Sequence, residues 1–286
     1  MVRRAVGSNQ YRTRVSPAGA STDTSLLAQA TNEQRRRCGE VWGTQCRVWV
    51  TEPDYSHDGH GVHSSGLDAH LRSMDEVGFR ALADVLDVLP ERTVWAVAKN
   101  RRCPPEVLEQ LDKSPIDSQT RVNILSNPRC PTHLLETAVE GVSIEFAMAA
   151  ASNPNTPPQA LHQAARYNSR ALSAAPEVLG RIVRNPQCPT KTLRMLVKLS
   201  YWDSAWERRV WVPIAQRMDC PPDVLRVLAG RCVHIPSVLV AVAGHPSLPS
   251  DLALELTQSR YPAVVEQSWA NANIPDEYRA LRQVAE

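Results

Sequence analysis

Residues 125–138 read LSNPRCPTHLLETA, and the same pattern returns along the chain. It stands earlier as AKNRRCPPEVLEQL (98–111) and later as ASNPNTPPQALHQA (151–164), VRNPQCPTKTLRML (183–196) and AQRMDCPPDVLRVL (215–228). Two looser copies follow, AGHPSLPSDLALEL (243–256) and WANANIPDEYRALR (269–282). With the asparagine or its substitute as marker, the copies fall at 100, 127, 153, 185, 217, 245 and 271, at intervals of 27, 26, 32, 32, 28 and 26 residues. A unit this small cannot bury its own apolar face, so a period of this length predicts stacked repeats.

Each copy reads as helix, turn, helix. An apolar stripe precedes the marker, as in Val122, Ile124 and Leu125 or Val240, Val242 and Ala243; its spacing is helical. Asparagine tolerates the left-handed conformation that ends a helix, and the proline after Asn127, Asn153 and Asn185 cannot continue one. A small residue and a second proline follow, Cys130-Pro131, Thr156-Pro157 and Cys188-Pro189. Proline suits the first helical position, where its missing N–H would have no partner anyway. Glu106 and Asp223 add carboxylates to the first turn, favourable to the helix dipole. Leucine pairs such as Leu108 and Leu111, Leu193 and Leu196, or Leu225 and Leu228 then form an inner face. Nothing alternates with period two, so the repeat region is expected to be all-α.

Composition agrees. The chain has 286 residues with 22 prolines and 12 glycines, more proline and less glycine than the usual ~5% and ~7%, which is unlike a sheet protein. Fourteen of the prolines sit at repeat positions: helix starts, their doubled partners Pro105, Pro158 and Pro222, or the residue after the marker. Hydrophobic residues make up 43% and charged residues 22%, enough to bury a core and unlike a collagen, a wholly disordered chain or a small disulfide scaffold.

The pattern apolar-Ala-x-Asn-Pro-x-Cys/Thr-Pro-x-x-x-Leu-x-x-Leu resembles the leucine-rich repeat variant, a bacterial α-solenoid repeat. The resemblance covers about residues 92–286. It implies a right-handed α-solenoid of about seven short helical repeats over 91–286, without strands. His245, Leu248, Ala272 and Ile274 depart from the pattern in the last two copies. The longer intervals place insertions near 166–178 and 198–210. Ser73–Leu89 carries Val77, Leu82, Val85, Leu86 and Leu89 on one side, and Ser73 with Glu76 has capping-box spacing. Residues 71–90 are thus expected to form a capping helix, as repeat ends require.

Residues 1–70 are rich in Arg, Ser, Thr, Gly and His without apolar periodicity, and are expected to be a mostly disordered, flexible segment. Met74 opens the first well-patterned stretch, which leaves two readings of 1–73: a native extension, or sequence upstream of the natural start. Cys38, Cys46, His57, His60, His63 and His70 offer zinc-ligand chemistry, but an eight-residue cysteine interval does not fit a structural zinc site. The family implied by the resemblance can carry an iron–sulfur module ahead of the repeats; two cysteines are too few for one. The expectation is a His-rich tract with no metal and no cofactor, zinc being the alternative.

Cys103, Cys130, Cys188 and Cys220 share one repeat column with Thr156, Leu248 and Ile274. A position that accepts Cys, Thr, Leu and Ile is a packing position. Cys232 reads the same way. Seven cysteines without an export signal suggest reduced thiols and a cytoplasmic setting, and no run approaches the ~18 apolar residues of a membrane helix. No nucleophile elbow, zinc-protease helix, phosphate loop or dinucleotide fingerprint is present. His133, His162, His234 and His245 fall in different repeats, and Asp203 between Trp202 and Trp206 is a weak glycosylase-like pair. The chain is therefore not expected to be an enzyme, and no small-molecule substrate is evident.

What remains is a binding surface. Net charge is only +2, yet residues 166–231 hold twelve Lys/Arg against five Asp/Glu, and 232–286 hold three against six. Arg166, Arg170, Arg181, Arg184, Lys191, Arg194 and Lys198 belong to the fourth repeat and its insertion; Arg208, Arg209, Arg217, Arg226 and Arg231 surround the fifth. Arg194 and Arg226 occupy one column and are expected to be neighbours. The insertion YWDSAWERRVW (201–211) adds Trp202 and Trp206 on one helical face, and Trp with Arg is the chemistry of interface hot spots. Alternatively the tryptophans fill the space between repeats. The expected contact residues are Trp202, Trp206, Arg208, Arg209, Arg194, Arg226 and Arg184. A protein or peptide partner is the first expectation and a nucleic acid the alternative, because Arg with an aromatic also suits phosphates and bases.

Overall fold

A computed structural model describes Leu71, residues 73–83, Leu89 and residues 91–285 apart from Val142, 170–175 and 200–203. Expectations for residues 1–70, including Cys38, Cys46, His57, His60 and His63, lie outside the described residues, as do those for Arg170, Trp202 and Asp203. The chain divides into two units; Leu89 belongs to the first (1–60 and 84–90), and the other described residues belong to the second (61–83 and 91–286).

Among the described residues the second unit is all-helical, without strands. It begins with α1 (Glu76–Ala83). Pairs of helices follow, one before and one after each marker: α2 (Glu91–Lys99) and α3 (Pro105–Lys113), α4 (Ser118–Ser126) and α5 (Thr132–Val139), α6 (Ile144–Ser152) and α7 (Pro158–Asn168), α8 (Pro176–Arg184) and α9 (Thr190–Leu196). Then α10 runs as Ser204–Trp206, a π-helical turn Glu207–Trp211 and Val212–Gln216, paired with α11 (Pro222–Arg231). The last pairs are α12 (Pro236–Ala243) with α13 (Ser250–Leu256) and α14 (Pro262–Ala270) with α15 (Asp276–Ala285).

Each first helix packs against the next first helix, α2 on α4, α4 on α6, α6 on α8, α8 on α10, α10 on α12 and α12 on α14. Among the second helices, α5 packs on α7 and α7 on α9. The core lies between the two sets. It takes the leucine pairs Leu108 and Leu111, Leu193 and Leu196, Leu225 and Leu228, together with Ile124, Leu125, Val242 and Ala243, all fully buried. Removing one such leucine costs about 2–5 kcal/mol.

Local reasons differ from the sequence expectation at three points. First, Asn127, Asn153 and Asn271 are not left-handed: their φ values are −72°, −73° and −70°, with ψ of 125–130°. Second, the prolines at 104, 131, 157, 189, 221 and 249 are N-caps and not first helical residues. An extended ψ lets their carbonyls accept the first helical bonds, as Pro104 O does from Leu108 N at 3.2 Å. The doubled Pro105, Pro158 and Pro222 begin their helices, where proline needs no N–H partner. Pro176, Pro236 and Pro262 likewise begin first helices. Third, α1 is capped through Asp75, whose Oδ1 accepts from Gly78 N at 2.8 Å. Phe79, Leu82 and Ala83 are its buried residues, and Val77, expected on the inner side, is 70% exposed.

Candidate functional site

The repeated residues themselves are occupied in holding the units together. In every copy the residue three after the marker donates its N–H to the marker's carbonyl, from Cys103 N to Asn100 O at 3.0 Å through Ile274 N to Asn271 O at 3.3 Å. The marker's side chain then reaches back to the preceding unit. Asn127 Nδ2 donates to Ala98 O (2.7 Å) and Asn100 O (2.8 Å), and Asn153 Nδ2 donates to Leu125 O (2.8 Å) and Asn127 O (2.7 Å). Asn185 Nδ2 repeats the pattern on Ala151 O and Asn153 O, and Asn271 Nδ2 on Ala243 O and His245 O. The amide oxygen accepts the N–H two residues on, Arg129 N at Asn127 and Asn155 N at Asn153. A helix leaves its last carbonyls without intrahelical donors; here the next unit's asparagine supplies them.

The two departures show what the position requires. Arg217 Nη1 donates to Val183 O (2.5 Å) and Asn185 O (2.7 Å), and its remaining nitrogens pair with both oxygens of Asp219. His245 makes one donation, Nε2 to Arg217 O at 2.7 Å, while Nδ1 accepts from Ser247 N at 3.0 Å. A carbonyl on one side and an N–H on the other fix the neutral Nε2–H tautomer.

The cysteine column is equally internal. Cys103, Cys130, Cys188 and Cys220 are buried and unpaired as disulfides, and Thr156, Leu248 and Ile274 are buried beside them in sequence register. Burial pushes the four thiols up to about 12, and that of Cys232 to about 11. Thiols held neutral in this way are poor nucleophiles and poor metal ligands. Among the described residues, no group of three or more His, Cys, Asp or Glu side chains could hold a metal ion. No described helix is long and apolar enough to cross a membrane. A depression of about 380 Å³ lies among the turns of the second, third and fourth copies, lined by Pro128, Arg129, Asn155, Thr156 and Gln187 among others. Its one cation is occupied: Arg129 Nη2 pairs with Glu76 at 3.0 Å and Nη1 donates to Arg102 O.

The predicted contact residues separate into three groups. Trp206 is 1% exposed, and Trp211 is buried as well. The expectation that Trp206 presents itself to a partner is corrected: its side chain is buried. Arg194 and Arg226 are exposed but do not form a bare stripe, each being paired with an aspartate. Arg194 Nε lies 2.7 Å from Asp223 of the next second helix, and Arg226 Nη2 lies 2.9 Å from Asp251 of the one after. The Arg194 guanidinium holds the Asp223 carboxyl below the usual range, and Arg226 does the same to Asp251. Pairs this open to solvent are screened and add little to stability.

The third group lies on the first helices. Glu177, Arg181 and Arg184 stand at i, i+4 and i+7 on α8 and so share a face. Opposite them is the π-helical turn of α10, closed by a bond from Val212 N to Glu207 O. Pro213 has no N–H to return to Arg209 O, and Arg184 Nη1 reaches that carbonyl at 3.5 Å while also donating to Gly180 O at 3.0 Å. A Cβ at Gly180 would lie 2.7 Å from Arg209 O, so only glycine admits this approach of α8 to α10. Arg209 pairs with Glu177 at 3.4 Å. Arg181 and Arg208 are exposed and form no ion pair among the described residues.

No family model, curated protein or solved structure matches the chain. At the junction of α8 with the π turn, Arg181 and Arg208 stand exposed without an ion pair among the described residues.

Proposed function

We propose that this chain is a non-catalytic α-solenoid, right-handed and of the leucine-rich repeat variant type, acting as a scaffold in the cytoplasm that binds a protein or peptide partner. The resemblance of the motif to that bacterial repeat and the packing of each first helix on the next support the solenoid reading. Small-angle X-ray scattering tests it, since a stacked array is longer than a globule of equal mass. The binding reading rests on one observation: the motif's amides and thiols are buried in the frame, while Arg181 and Arg208, with Arg184 and Arg209 beside them, stand exposed on the first helices. Residues held on rigid elements form a better binding surface than a loop would.

The test is affinity capture from native cells with the wild-type chain and Arg208→Gln/Arg209→Gln, followed by rebinding of the purified partner. A partner retained by wild type and lost by the variant supports the assignment. If no protein is enriched by either form, the scaffold reading fails. Nucleic acid is the alternative. It draws less support because Asp223, Asp251 and Asp219 neutralise Arg194, Arg226 and Arg217, interrupting the stripe it needs. A nucleic-acid complex would weaken steeply with salt through counterion release.

A further inference from the structure

We infer that the junction of α8 with the π turn of α10 is a docking site for an acidic segment of a partner protein, one carrying several aspartate or glutamate carboxylates in succession. This inference rests on the scaffold reading and names the chemistry of its partner. Three features carry it. The first is charge: Arg184 and Arg209 meet where Gly180 lets the two helices touch, Arg181 shares the α8 face of Arg184, and Arg208 precedes Arg209 on the π turn. Among the described residues the acidic side chain in an ion pair with any of them is Glu177, 3.4 Å from Arg209. The cluster keeps an excess of positive charge, and complementary potential is what selects and steers a charged partner.

The second is rigidity. Arg184 is anchored through Nη1 to Gly180 O and Arg209 O, so part of its fork is already ordered before a carboxylate arrives. Arginine offers five donors in a planar arrangement that matches a carboxylate, and those not used internally face outward on an exposed residue. The third is extent. On α9 and α11, Arg194 and Arg226 are paired to Asp223 and Asp251, which breaks the run of arginines beyond this junction. A short patch suits a short acidic peptide; a polyanion following the whole array would need the stripe that these aspartates interrupt.

The experiment measures fluorescence anisotropy of a labelled glutamate-rich peptide, its glutamine counterpart and a single-stranded oligonucleotide at low and at physiological salt. The variants are Arg181→Gln/Arg208→Gln and, as a control with the same charge change, Arg194→Gln/Arg226→Gln. Arg184 is left intact because it holds the Arg209 carbonyl. The expected result is binding of the glutamate peptide and not of the glutamine peptide. Affinity should fall about tenfold in the R181Q/R208Q variant and less than about twofold in the control. Equal losses in both variants, or no binding of the glutamate peptide, would overturn the inference. Tighter binding of the oligonucleotide, weakened by the control pair, would overturn it in favour of a nucleic acid. A natural partner captured equally by wild type and R181Q/R208Q would overturn the acidic-segment assignment and leave the scaffold reading standing.

Discussion

Replacing Asn153 by alanine should show how much the asparagine ladder holds. Asn153 is 2% exposed and makes three hydrogen bonds, two donated to Leu125 O and Asn127 O and one accepted from Asn155 N. After the change Asn127 O keeps the Cys130 N–H at 2.9 Å. Leu125 O, in the last turn of α4, loses the donor that reaches it. A buried acceptor left without a donor costs about 1–3 kcal/mol, and two further neutral bonds contribute about 1 kcal/mol each, so the loss should be about 3–5 kcal/mol. Asn100→Ala removes the bond to Leu71 O and the one from Arg102 N, in a half-exposed setting, and should cost about 1–2 kcal/mol. Asn153→Asp presents oxygens to two carbonyls and should be worse than alanine at neutral pH. Its buried carboxyl would have a raised pKa, so the deficit relative to wild type should shrink as pH falls and the acid form supplies a donor. Urea unfolding followed by circular dichroism, with calorimetry, measures all three. Because coupling between repeats is local, N153A should also split the calorimetric transition. An N153A loss below about 1 kcal/mol, or one no greater than that of N100A, would refute the ladder as a source of stability.

Other outcomes follow from the same contacts. Arg217→Ala should cost about 2–4 kcal/mol in urea unfolding, and Arg217→Asn less than half of that, because an amide can reach the same two carbonyls. Gly180→Ala should destabilise by about 1–3 kcal/mol through its clash with Arg209 O; wild-type stability in this variant would show that α8 and α10 can separate at no cost. With Cys38 and Cys46 changed to serine, the remaining thiols should react with Ellman's reagent only at the rate of unfolding, since all five are buried; rapid labelling in native buffer would contradict their packing role. Asp117 caps α4, bonded to Thr120 through its hydroxyl and N–H, to Gln119 N and to Trp95, and these bonds lower its carboxyl to about 2. Its contribution should be complete above the ordinary carboxylate pKa and fade between about pH 4 and pH 2 as the folded form protonates. Asp117→Asn should flatten that part of the acid unfolding profile, and an unchanged profile would remove the cap from the account.

The periodic signal made the helical class legible because a repeat displays its buried positions several times over. Leu108, Leu193 and Leu225 read as core for that reason, and Cys103, Cys130, Cys188 and Cys220 read as packing once Thr156 and Leu248 appeared in their column. The asparagine is legible as a marker, but its role is not. Local logic offers it a left-handed helix end, whereas its role is to donate to carbonyls 26–34 residues earlier in the chain. The substitution of Arg217 with Asp219 two residues on was the signal that could have exposed this, since that pair replaces an amide's donors and acceptor together.

The site divides in the same way. Charge and residue type are properties of the chain, so the excess of arginine between 166 and 231 and the tryptophans at 206 and 211 were visible in the sequence. Which arginines remain uncommitted was not. Asp223 and Asp251 reach Arg194 and Arg226 across successive helix pairs, Trp206 turns inward, and Gly180 brings α8 against a π turn that no periodicity announces. The sequence determined the repeats and the helices, since those follow from spacing within a unit. Tertiary structure alone decided which polar groups were left over, because pairing depends on distances between units, and these exist only once the units have packed.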